Sequence, residues 1–140
     1  MQCMRHYENF KYKGLIMSVI ECNFDEPHFS DTKIGKKKVE GRPNLGKFKD
    51  AKIGDILRIS RYSAERKGSY LPTDAEYEVI ERKIVEVKIY PTFQTYLEEH
   101  LKIALPRVDS VDAGVTLYRS FGPTYSAESE KDNGVIAIFT

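Results

Sequence analysis

Gly35-Lys36-Lys37-Lys38-Val39-Glu40-Gly41-Arg42 places four cations and one carboxylate in eight residues. Gly35 allows the chain to turn, the residues after it read as an extended strand, and Pro43 stops that strand. Strict alternation puts Lys36, Lys38, Glu40 and Arg42 on one face and Lys37 and Val39 on the other. A second signal follows at Lys52-Ile53-Gly54-Asp55-Ile56-Leu57, a tight turn feeding a buried strand.

Upstream of this segment, Leu15 to Cys22 is apolar on both alternating faces and reads as a central strand. Pro27 suits the first turn of a short helix with Asp25 or Glu26 near its positive end. That helix should turn Phe29 and Ile34 inward and stop at Gly35. Met1 to Lys13 is polar and aromatic, either a loose arm or a packed segment. We assign residues 1–13 as an N-terminal extension and 14–140 as one domain, since no linker or repeat divides the chain.

Downstream, Phe48 anchors a loop, and Ile56 to Tyr62 is a strand with Leu57 and Ile59 inward and Arg58 and Ser60 outward. Ser63 to Asp74 is expected to be a loop. Glu76 to Ile89 reads as one long strand with a bulge near Arg82, because Ile80 and Ile84 break its parity. Pro91 to Leu105 carries apolar residues at helical spacing and Thr92 as a cap. Ser110 to Phe121 is a second helix with Val111, Val115 and Tyr118 as its inner stripe. Asn133-Gly134 is a turn into a closing strand, Val135 to Phe139. The expected fold is α+β, mostly β: a small β-barrel flanked by short helices.

The chain of 140 residues can bury a real core, and 31% charged against 41% hydrophobic residues places it among globular proteins. The net charge of +1 conceals asymmetry: residues 33–52 hold eight Lys or Arg against Glu40 and Asp50. A local basic patch attracts phosphate even when total charge does not, although such runs often merely solvate a face. Cys3 and Cys22 form no metal-type pair, and His6, His28 and His100 lack zinc spacing. No phosphate-binding glycine loop or nucleophile elbow is present. The longest apolar run, Gly14 to Ile20, is too short to span a bilayer. We expect an intracellular, cytoplasmic protein with no cofactor, no metal and no membrane partner; its oligomeric state is left open.

The two signals together resemble the ASCH domain, the activating-signal-cointegrator homology domain of the PUA-like superfamily. That family's pattern is a short helix, then G-x-K-x-hydrophobic-E-x-R, then hydrophobic-G-D-hydrophobic. Here the matching residues are Gly35, Lys37, Val39, Glu40 and Arg42, then Ile53, Gly54, Asp55 and Ile56. Tyr90-Pro91-Thr92-Phe93, Leu105-Pro106, Gly114-Val115, Tyr118 and Gly134 to Ala137 extend the resemblance across about residues 14 to 140. It implies a PUA-like β-barrel with a cleft beside the Lys–Glu–Arg strand, and RNA or a modified nucleoside as partner, with DNA the other nucleic-acid candidate.

Small members similar to this chain hydrolyse acetylated cytidine at its amide, and some members are described as ribonucleases. The resemblance therefore leaves an enzymatic alternative, with Lys37 and Glu40 as the catalytic residues. Lys37 matches the lysine of the amidohydrolase catalytic group, but those enzymes carry threonine where this chain has Glu40. The change adds a charge that can pair with Lys37 and keep it protonated. Glu98 and Glu99 lie near where a distant catalytic glutamate is expected. As a binding site, the expected set is Lys37, Lys38, Glu40, Arg42, Arg58 and Tyr118. Arg42 would clamp an anion bidentately, Lys38 and Arg58 would add charge, and Tyr118 or Tyr90 would stack a base. Tyrosines in helix stripes are more often core. Asp55 reads as an acceptor for turn amides, not as a catalyst.

Overall fold

The computed structural model describes residues 5–12, 15–61 and 78–140, with side chains described from residue 17 onward. The expected Ser63–Asp74 loop and Cys3 lie outside these residues. Among the described residues, seven strands and four α-helices follow in order: β1 Arg5–Tyr12, β2 Leu15–Phe24, α1 His28–Lys33, β3 Val39–Pro43, β4 Ile56–Arg61, β5 Val79–Lys83, β6 Glu86–Tyr90, α2 Phe93–Ala104, α3 Val111–Arg119, α4 Ala127–Asn133 and β7 Val135–Phe139.

The strands form two sheets, a four-stranded sheet in the order β1-β2-β4-β5 and a three-stranded sheet in the order β3-β7-β6. This corrects the expectation of a mostly β barrel. Among the described residues the strands do not close into one ring, and the helices are a full layer of a mixed α+β fold. β2 is central, as its two apolar faces require, and pairs parallel with β4, Ile20 opposite Leu57 and Cys22 opposite Ile59.

Strand β7 explains the layering. It lies between β3 and β6, and its first four residues are all buried. Ile136 and Ile138 pack with Ile20, Cys22, Leu57 and Ile59 of the four-stranded sheet. Val135 and Ala137 pack with Tyr96, Leu97 and Tyr118 of α2 and α3. Period-2 alternation thus feeds two cores from one strand. The order of layers is four-stranded sheet, three-stranded sheet, then helices.

The long strand expected over Glu76 to Ile89 is two strands in different sheets. The parity break at Ile84 is a crossover, not a bulge near Arg82. The Ile84 amide donates to Asp55 O at 2.8 Å and its carbonyl accepts from Gly54 at 2.9 Å, while the Val85 amide donates to Phe139 O at 2.8 Å. Ile34 is exposed rather than inward, whereas Phe29 is buried as expected. Helix α4 was not anticipated: its sequence, Ala127 to Asn133, is almost wholly polar, and its one buried side chain is Glu130. The Glu130 carboxylate accepts from the Phe93 amide at 2.7 Å and pairs with Arg119 at 2.7 Å, fastening α4 to the start of α2. Thr92 and Thr95 form a reciprocal cap on α2, and Ser110 caps α3.

Candidate functional site

Strand β3 buries alternate residues, Val39, Gly41 and Pro43. Val39 joins the helix-side core, and Gly41 lies against the Tyr96 ring. Glu40 and Arg42 therefore face the other way. They stand opposite Ile138 and Ile136 in register, on the side turned toward the four-stranded sheet. Here lies a cleft of about 710 Å³, lined by Asn23 and Phe24 at the end of β2, by Glu40 and Arg42 of β3, and by Phe121 and Tyr125 beyond α3. Two ionised groups fill positions where alternation would otherwise place apolar side chains.

The charges at the base of the cleft are linked. Glu40 accepts from Arg42 at 2.9 Å and 3.0 Å through one oxygen, and its other oxygen lies 3.2 Å from Lys37 Nζ. Side-chain exposure is 2% for Lys37, 13% for Glu40 and 14% for Arg42. Burial pushes the Glu40 carboxyl upward, but Lys37 and Arg42 outweigh it and hold the group below its ordinary value. Burial lowers Lys37 despite its carboxylate neighbour. The Arg42 guanidinium lies over the Phe48 ring at 4.7 Å and donates to Asn23 O at 3.4 Å, bridging β3 to the end of β2.

Lys37 lies just before β3 begins and is buried in phase with Val39, Gly41 and Pro43, as alternation predicts, yet its ammonium reaches Glu40. Its Nζ also donates to Val39 O at 2.9 Å and Ala104 O at 2.6 Å. With Glu40, that makes three acceptors, the number an ammonium group can serve. Asp31 supports the segment before β3 from behind. Its carbonyl accepts from the Lys36 and Lys37 amides, each at 2.9 Å, and its buried carboxylate takes a two-bond grip from Arg107 at 3.0 Å and 2.9 Å.

The upper walls are aromatic. Phe121 is 42% exposed, at 5.5 Å from Tyr125 and 5.8 Å from Tyr118 between ring centres. His28 meets Phe121 edge to face at 6.3 Å, and burial together with Lys37 lowers its ring pKa. Tyr118 reaches the cleft wall but is buried and stacked on Phe93 at 4.3 Å, as the core reading of such tyrosines anticipates. Its hydroxyl interacts with that of Tyr96, yet neither makes a well-formed hydrogen bond among the described residues. Lys47 lines the far end, donates to Glu21 O, and is lowered by burial to about 7.

The structure thus brings together Lys37, Glu40, Arg42 and Tyr118 of the expected set. It places two members elsewhere. Lys38 is exposed outside the cleft, its backbone held by Ile103 O and the Thr140 amide. Arg58 lies on β4 and pairs with Glu81 at 2.9 Å and Glu21 at 3.3 Å. Outward parity on a strand does not tell which outward surface carries the site. Glu98 is exposed, and Glu99 accepts from the Tyr90 hydroxyl, so neither lines the cleft. Asp55 accepts the Ser18 amide at 3.0 Å and the Lys52 amide at 3.2 Å, the turn role its position suggests. Phe121, Tyr125, His28 and Lys47 were not anticipated. The Phe121-Gly122-Pro123 stop signal marks a helix end but not the direction of the ring before it.

Cys22 is free and buried, its thiol pushed up to about 12 by burial. Among the described residues no group of three or more His, Cys, Asp or Glu is arranged to hold a metal, and no helix is long and apolar enough to cross a membrane.

No protein-family model matches the chain, and no curated protein does. Two solved structures share its fold. The crystal structure of the hypothetical protein PH0355 from Pyrococcus is 33% identical, with 85% of this chain and 94% of that one covered and a TM-score of 0.66. The solution structure of protein PF0455 from Pyrococcus furiosus is 29% identical, with 86% and 94% covered and a TM-score of 0.62.

Proposed function

The chain belongs to the family of the hypothetical protein PH0355, and we propose that it is an ASCH-type, PUA-like module that binds a nucleotide of single-stranded RNA in the cleft beside β3. One observation carries this reading: the clamped Glu40 carboxylate lies at the base of a cleft whose lip presents the exposed Phe121 ring and Tyr125. A planar base stacks on such rings, and a carboxylate accepts from its amino edge. The resemblance of the Gly35–Arg42 and Ile53–Ile56 motifs to ASCH sequences supports the same reading.

Binding is favoured over amide hydrolysis by the state of Lys37. A nucleophilic or basic lysine needs a free lone pair, and three acceptors around Nζ suit the ammonium form. Glu40, as their shared counter-ion, suits recognition better than proton abstraction.

The test is titration of a mixed-sequence RNA of about ten nucleotides, with Phe121→Ala and Glu40→Gln beside the wild type. We expect salt-sensitive binding that Phe121→Ala weakens by about tenfold or more, since stacking contributes about 1–3 kcal/mol per base. Binding unchanged in both variants, or absent altogether, overturns the proposal. A parallel incubation with acetylcytidine should yield no cytidine; cytidine formed by wild type and not by Lys37→Ala would reinstate the hydrolytic reading.

A further inference from the structure

Strand β6 forms one side of the three-stranded sheet, and among the described residues no strand pairs with its outer edge. Natural sheets protect such edges with charge, proline or a bulge, because a row of open amides and carbonyls invites another strand. At the other side of this sheet, β3 ends in Pro43. In the four-stranded sheet, β5 exposes Glu81 and Lys83, and its Arg82 reaches the Thr32 and Lys33 carbonyls of α1. The edge of β6 instead carries two open apolar side chains: Val85 is 57% and Ile89 58% exposed.

Alternation sorts this edge into two faces. Val85, Val87 and Ile89 share the face on which Val87 packs against the core of Ile136 and Ile138. Glu86 and Lys88 share the other face, where Lys88 Nζ lies 3.7 Å from the Glu86 carboxylate and 5.7 Å from the centre of the Phe139 ring. The edge is complementary to a second copy of itself. In an antiparallel pairing centred on Val87, Val85 stands opposite the partner's Ile89, Glu86 opposite the partner's Lys88, and Val87 opposite the partner's Val87. Apolar side chains then meet on one face, and two carboxylate–ammonium pairs form on the other. A centre at Glu86 or Lys88 would set like charges opposite each other. A centre between two residues would set charges opposite apolar side chains.

We propose that the edge of β6 is a homodimer interface: two copies pair antiparallel about a two-fold axis at Val87, and their three-stranded sheets join into one continuous sheet. The contact is isologous, so each cross-strand pair occurs twice. Pro91 follows the strand directly and keeps the shared ladder short, which makes the dimer a reversible, concentration-dependent one. The inference does not rest on the nucleotide reading of the cleft, because β7 separates β6 from β3.

Sedimentation equilibrium over a concentration series up to about 1 mM, the weak end of specific association, tests this. The variants are Glu86→Lys, Lys88→Glu and the double exchange Glu86→Lys/Lys88→Glu, all at half-exposed positions, with circular dichroism to verify the fold. Wild type should pass from monomer to dimer as concentration rises, and the amides of β6 should gain protection from hydrogen exchange in parallel. Each single variant sets two like-charge pairs across the axis and should raise the dissociation constant about tenfold or more. The double exchange should restore the dimer. A mixture of the two single variants should associate as wild type does, since every cation of one then meets a carboxylate of the other. A wild type that stays monomeric throughout overturns the proposal and leaves this edge to a strand of another protein. A dimer that both single variants leave intact, or single variants that neither the exchange nor the mixture rescues, overturns it as well by placing the interface elsewhere.

Discussion

Lys37 Nζ lies 3.2 Å from Glu40 Oε1, a pair formed across the boundary between a turn and a strand. The lysine also closes β3 onto the end of α2 through Ala104 O. Removing it leaves two carbonyls without a donor and an almost fully buried carboxylate with one cation in place of two. We expect Lys37→Met to cost about 3 kcal/mol, in the range for breaking a buried pair. Urea unfolding measures it, and a loss below about 1 kcal/mol would show the pair to be dispensable.

Glu40 sets an acid limit on stability. Its folded pKa lies below its ordinary 4.5, so it stabilises the fold above that value. That contribution is lost as pH falls through the lower, folded value. Glu40→Gln should unfold more easily at pH 7 and show a flatter loss of stability below 4.5 than wild type. Parallel acid limbs in the two proteins would contradict this assignment.

Gly41 has no space for a side chain. A Cβ there would stand 2.4 Å from Tyr96 Cε2 and 2.7 Å from its Cζ. Tyr96 is fully buried and cannot swing away. Gly41→Ala should cost about 1–3 kcal/mol by overpacking, read as a lowered melting temperature. An unshifted Tm would mean that β3 and α2 separate more readily than their packing suggests.

Lys47 should titrate far from the other lysines. Burial lowers its pKa from 10.5 to about 7. Below that value the folded state carries a half-buried charge, so this group's effect on stability improves as pH rises from about 7 toward 10.5. NMR of the protein with 13C-methylated lysines should show one resonance with a midpoint near 7 that is missing in Lys47→Met. If every lysine titrates near its ordinary value, the amine is better solvated than its place in the wall implies.

Local patterns made much of this fold readable. Thr92, Ser110 and Gly35 mark helix ends through chemistry confined to a few residues. Leu57 and Ile59 declare a buried face by simple alternation. What escaped depends on tertiary context. Nothing local to Ile84 distinguishes a bulge from a change of sheet, because either restores parity. Helix α4 has scarcely any apolar stripe and is held by the buried Glu130. Lys37, Glu40 and Arg42 were legible as a motif, but Phe121 and Tyr125 approach them from a part of the chain some eighty residues away, where no short-range pattern points to a shared surface.

The crossover at Ile84 and Val85 also determines which changes of length the chain can accept. Backbone bonds on one side of it fix the register of the four-stranded sheet, and those on the other fix the three-stranded one. One inserted or deleted residue there would turn the side chains of β5 or β6 to the opposite face. Sequences that preserve this fold can therefore vary in side chain at the junction, but they should keep its residue count.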